Sequence, residues 1–72
     1  MEFSDKDILF LKKLSKYDHG HVSQTTLQHE LEKEGIPAED FIKVKRKLLF
    51  SGIIGIVYGN ITIEKKEVLK SI

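Results

Sequence analysis

Two hydrophobic periods run along the chain, one of 3.6 residues up to about position 50 and one of two residues after it. In the first stretch, Ile8, Phe10, Leu11, Leu14 and Tyr17 cover one half of a helix. Ser4 stands where an N-cap belongs, and Asp7, three residues on, makes a shortened capping box. Phe3 and Ile8 have the spacing of a hydrophobic staple across that cap. Asp5 and Asp7 suit the positive end of the helix dipole, and Lys12, Lys13 and Lys16 suit its later turns. Leu9 falls on the other side, among these lysines, as an isolated exposed leucine or as part of a contact surface. Asp18-His19-Gly20-His21 breaks the helix. Val22 is a short extended point, and Ser23 caps a second helix over roughly 24–33. Leu27 and Leu31 are its anchors, so this helix lies on a surface and depends on its neighbours. Gly35 stops it.

Pro37, at a first helical position, opens a third helix over 37–51. Glu39 and Asp40 favour its N-terminus. Phe41, Val44 and Leu48 form its apolar stripe, with Ile42 and Leu49 flanking, while Lys43, Arg46 and Lys47 occupy the opposite side. Gly52 ends the helix. Alternation then predicts strands over 53–58 and 61–64, joined by Gly59-Asn60 as a type II′ turn. A two-residue loop there pairs Tyr58 with Ile61, Val57 with Thr62, Ile56 with Ile63 and Gly55 with Glu64. Ile54, Ile56, Tyr58, Ile61 and Ile63 then share one face, which has to rest on the helices because two strands do not stand alone. Phe50 lies in line with Lys43 and Lys47 on the third helix, and the favoured reading tucks it under this hairpin. Residues 65–72 make a basic tail, with Val68, Leu69 and Ile72 at helical spacing: a short last helix, a dimer contact or a frayed end.

Composition bounds what such a chain does. Ile, Leu, Val and Phe supply 25 of 72 residues, too many for a disordered segment. The expectation is one domain over 1–72, with its core within 4–64. A chain this short buries only about 60% of its unfolded surface, which leaves little margin for strain and little room for a substrate cleft. There is no cysteine, so disulfides, thiolate zinc sites and a cysteine nucleophile are excluded. No run approaches the roughly 20 apolar residues of a membrane span, and the acidic start lacks the basic-then-apolar order of a signal peptide. The expected setting is therefore the cytoplasm or nucleoid. The net charge of +1 hides an asymmetry: residues 1–42 sum to −4 and residues 43–72 to +5. Such a basic half fits a polyanion or simply solvates an exposed face.

The order of elements, with Val22-Ser23-Gln24-Thr25-Thr26-Leu27, then Phe41, Val44 and Leu48, then Leu48-Leu49-Phe50-Ser51-Gly52-Ile53-Ile54, resembles the winged helix-turn-helix DNA-binding domain. The resemblance covers about residues 5–64. It implies a small α+β winged helix: three helices on a two-stranded β-wing, or a three-stranded one if Val22 joins. It further implies a transcription regulator that binds double-stranded DNA, with the third helix in the major groove and the hairpin as the wing. The matching positions are Arg46 for bidentate reading of guanine, Lys43 and Lys47 for phosphates, and Ser23, Gln24 and Thr25 for a phosphate at the start of the second helix. Lys65 and Lys66 follow the wing toward the backbone. A homodimer would use Leu9 or the Val68, Leu69 and Ile72 tail.

Two features depart from that pattern. The front of the third helix is acidic at Glu39 and Asp40, and the wing tip, Tyr58-Gly59-Asn60-Ile61, carries no Lys or Arg. They keep an alternative open: a winged helix that binds a partner protein and no DNA. Asp18, His19, His21 and His29 suggest a metal at first sight, but zinc needs three or four convergent ligands, and a solvated loop is the simpler reading. No Gly-x-Ser-x-Gly, phosphate loop or dinucleotide fingerprint occurs, so the reading is of a non-enzyme without cofactor or metal.

Overall fold

The computed structural model describes residues 3–17 and 21–70. It is a small α+β domain of three helices and a three-stranded antiparallel sheet. In chain order these are α1 (Asp5–Ser15), β1 (His21–Ser23), α2 (Gln24–Lys33), α3 (Ala38–Phe50), β2 (Ile54–Val57) and β3 (Asn60–Ile63), followed by a 3-10 helix over Lys66–Lys70.

Each helix end is built from the residues that the sequence offers. The Asp7 N–H donates to Ser4 Oγ at 3.2 Å and the Ser4 N–H to Asp7 Oδ2 at 2.9 Å, a complete capping box on α1. Ser23 Oγ accepts from the Thr26 N–H at 3.2 Å and opens α2. Both α2 and α3 close with paired bonds around a left-handed glycine. The Ile36 N–H donates to the Leu31 carbonyl at 2.9 Å and Gly35 to Glu32 at 3.1 Å; Ile53 donates to Leu48 at 3.0 Å and Gly52 to Leu49 at 3.1 Å. Gly35 and Gly52 have φ of 93° and 73°, which a side chain would resist. In both motifs a buried aliphatic, Ile36 or Ile53, folds back on the helix it leaves. These two turns set the α2–α3 corner and the exit from α3 into the hairpin.

The core gathers Phe10, Leu11 and Leu14 of α1, Leu27 and Leu31 of α2, and Phe41, Val44 and Leu48 of α3 against Val22, Ile54, Ile61 and Ile63 of the sheet. Phe10 and Phe41 meet with ring centroids 5.5 Å apart. Phe3, Leu9, Tyr17, Val68 and Leu69 are half-buried against this core. Leu9, Val68 and Leu69 thus pack in part against the domain's own core; Ile72 lies outside the described residues.

Three expectations are corrected. Pro37 is the N-cap of α3 and not its first helical residue: its backbone is extended (φ −70°, ψ 164°) while its carbonyl already accepts from Phe41 at 3.0 Å. The hairpin turn is Tyr58-Gly59, with φ of 51° and 78°, and Asn60 belongs to β3. The two positive φ values are the type I′ signature, whose twist matches that of the strands. The register is accordingly Ile54↔Ile63, Gly55↔Thr62, Ile56↔Ile61 and Val57↔Asn60. Contacts beyond the hairpin hold it there. Asn60, Ile61 and Thr62 pair with Ser23, Val22 and His21, so Val22 does bring a third strand. The Gln24 N–H also donates to the Gly59 carbonyl at 3.1 Å. The four isoleucines still share a face, because moving the turn by one residue leaves their strand parity unchanged. Tyr58, however, leaves that face and stands 99% exposed. The third correction is Phe50, which is 86% exposed and tucked under nothing.

Candidate nucleic-acid interface

The solvent side of α3 is a crest with two flanks. Glu39, Lys43, Arg46 and Phe50 are three or four residues apart and share the crest, opposite Phe41, Val44 and Leu48. Lys43 and Arg46 are exposed and make no ion pair among the described residues.

The flank toward α1 is a mixed-sign seam. Lys6 Nζ donates to Asp40 Oδ2 at 2.8 Å, and Lys47 Nζ donates to Asp7 Oδ2 at 2.5 Å. These four residues, with Ser4, Lys43 and Val44, line a shallow hollow of about 220 Å³. Asp7 is 1% exposed. Burial pushes its pKa up. The Lys47 ammonium, the Ser4 N–H and the Ser4 hydroxyl outweigh that and hold the carboxyl below the ordinary aspartate value. Lys47, expected at a phosphate, is thus drawn back to the N-terminus of α1. Asp40, at the acidic front of the helix, is answered by Lys6.

The flank away from α1 meets α2 and the hairpin. Lys45 Nζ donates to Gln24 Oε1 at 2.9 Å and lies 5.9 Å from the Phe41 ring centroid. Gln24 therefore joins two elements: its side chain holds Lys45 of α3, and its N–H holds the Gly59 carbonyl of the turn. Ser23 spends its hydroxyl on Thr26, donating to Thr26 Oγ1 at 2.8 Å, and Thr25 is exposed beside them. Ser23, Gln24 and Thr25 are thus brought together next to the turn and the middle of α3. Lys65 sits at the other end of that helix, with Nζ 3.4 Å from the Ser51 carbonyl. Lys66 begins the terminal 3-10 helix and is exposed.

Sequence reasoning left two things out. Lys45 received no role, although its place beside Phe41 and opposite Lys43 follows from helical spacing. The second omission is apolar. Among the described residues, the exposed large hydrophobics are Ile42, Leu49, Phe50, Ile56, Val57 and Tyr58, all on α3, β2 or the β2–β3 turn. Ile42 and Leu49, seven residues apart, lie on the Lys45 flank. The signal was present in the positions of Ile42, Leu49 and Phe50 off the Phe41-Val44-Leu48 stripe.

Among the described residues no group of three or more His, Cys, Asp or Glu converges as a metal site. His21 and His29 are both exposed, and Asp18 and His19 lie outside the described residues. None of the helices searched is long and apolar enough to cross a membrane. Comparison of the chain with protein-family models, curated proteins and solved structures finds no match.

Proposed function

We propose that this domain is a winged helix-turn-helix that binds double-stranded DNA and acts in transcription control. One observation carries the reading: Lys43 and Arg46 stand side by side on the outward crest of α3, with no acidic partner among the described residues. In this reading α2 and α3 form the helix-turn-helix and the β2–β3 hairpin is its wing. Arg46 offers a planar fork for guanine, and Lys43 reaches a phosphate. Thr25 and the start of α2 meet the backbone on one side; Lys65 and Lys66 meet it on the other. The net charge of +5 on residues 43–72 supplies the attraction that precedes docking.

Fluorescence anisotropy of mixed-sequence duplex DNA, repeated from low to physiological salt, tests this. Micromolar affinity that falls steeply with salt is expected. On a selected operator, Arg46→Ala should cost about 1–3 kcal/mol and relax discrimination at one base pair. No binding at low salt, or equal loss on every sequence with Arg46→Ala, removes respectively the DNA reading and the assigned role of Arg46.

A further inference from the structure

The cations of α3 explain only part of its outer surface. A DNA duplex rewards Lys43 and Arg46 but leaves Leu49, Phe50, Val57 and Tyr58 with little to bury against. Exposed apolar side chains scattered singly need no explanation, whereas a cluster confined to two adjoining elements does. Here the cluster is confined. Outside α3, β2 and the turn, every large hydrophobic among the described residues is buried or half-buried. Gln24 ties the two parts together: its side chain binds Lys45 of α3 and its N–H binds the Gly59 carbonyl of the turn. The mixture of aromatic, aliphatic and Arg side chains is that of a protein-binding hot spot.

We propose that the Ile42–Leu49 flank of α3, Phe50 and the hairpin tip dock an acidic protein segment that carries aromatic or aliphatic anchors. Charge identifies the occupant. Lys43, Lys45 and Arg46 border the apolar cluster, and none makes an ion pair among the described residues. Glu39 is the acid on the same crest, two turns before Arg46. A second copy of the chain would set these three cations against their own copies. An acidic segment instead neutralises them while its apolar side chains cover Leu49, Phe50 and Tyr58. Lys43 and Arg46 then serve both ligands, so such a segment and DNA exclude one another. That exclusion rests on the DNA reading; the docking itself does not.

The test is an NMR titration of the ¹⁵N-labelled full chain with a synthetic peptide that alternates Asp with Phe or Leu. Two controls accompany it: the same peptide with Ser for Phe and Leu, and the same peptide with Lys for Asp. Saturable shifts centred on Leu49, Phe50, Val57 and Tyr58 are expected, with both controls at least about ten-fold weaker. The double variant Leu49→Ser, Phe50→Ser should lose about ten-fold in peptide affinity while keeping its thermal midpoint and its duplex affinity. Equal binding of the Ser control reduces the site to charge alone and overturns the proposal. Equal binding of the Lys control overturns the acidic partner. No saturable shift at about 1 mM peptide overturns docking. A concentration-dependent dimer that the double variant abolishes assigns the face to a second copy instead. Duplex binding without peptide binding leaves the DNA reading standing and this one fallen, and the reverse outcome separates them equally well.

Discussion

Tyr58 occupies a backbone region that its own Cβ makes costly. At φ 51° it is the one non-glycine residue with positive φ among those described, and its side chain is almost wholly in solvent. A left-handed non-glycine residue costs about 1–2 kcal/mol, and no burial here offsets it. Tyr58→Asn creates Asn-Gly, the favoured pair for this turn. It should therefore stabilise the domain by about 1 kcal/mol, read as a higher urea midpoint at unchanged slope. A lower midpoint would mean that the ring makes a stabilising contact after all. Strain kept at an exposed aromatic is the pattern expected of a contact residue. Asp7 is the opposite case, a buried acid that the fold needs. Its carboxylate closes the α1 cap and receives Lys47. Asp7→Asn should cost about 1–2 kcal/mol; the half-exposed lysine keeps this below the cost of breaking a fully buried pair. The pH dependence comes from the lowered pKa. This contribution is present above the ordinary aspartate value of 3.8 and is lost as pH falls through the lower folded value. Acid titration of stability should therefore be shallower in the variant below about pH 4.

At the scale of elements, the domain is held in shape by where its helices stop. The paired bonds at Gly35 and Gly52 turn the chain at both ends of α3, and each anchors a buried isoleucine. Gly52→Ala keeps open space around the new Cβ, with Lys65 Cε 3.7 Å away, but forces an L side chain to φ 73°. It should cost about 1 kcal/mol, seen as a lower thermal midpoint with an unchanged far-UV spectrum. Most of this level was legible in the sequence. Caps, apolar stripes and glycine stops act within a few residues, so Ser4, Ser23, Gly35 and Gly52 announce themselves. The hairpin did not, because Gly-Asn and Tyr-Gly are both local candidates. The choice between them is made at long range, by β1 pairing with Asn60–Thr62 and by Gln24 on Gly59. Phe50 is legible only in part: helical spacing puts it on the crest with Arg46, while its cover depends on tertiary packing, which leaves it exposed.

For the molecule as a whole, the division of charge along the chain becomes a division of labour among lysines. The acidic first half does not merely sit apart from the basic second half: across the α1–α3 seam Asp7 of the first faces Lys47 of the second, while Asp40 faces Lys6 within the first. Net charge thus overstates how much of the basic half is available to a polyanion. The cations expected at DNA and without an acidic partner among the described residues are Lys43, Arg46, Lys65 and Lys66. With Arg46 on a base, the three lysines at phosphates correspond to a slope of about −3 in log affinity against log salt. Lys43 and Lys47 then separate cleanly. Lys43→Ala should flatten the slope by about one and leave the thermal midpoint where it was, because Lys43 is exposed and supports nothing beneath it. Lys47→Ala should do the reverse, lowering the midpoint by uncovering Asp7 while the slope stays within about half a unit. If Lys47→Ala instead flattens the slope by a full unit, Lys47 leaves Asp7 on binding. The seam between α1 and α3 would then open each time the domain closes on DNA, and duplex affinity would rise in Asp7→Asn, which weakens the Asp7–Lys47 contact.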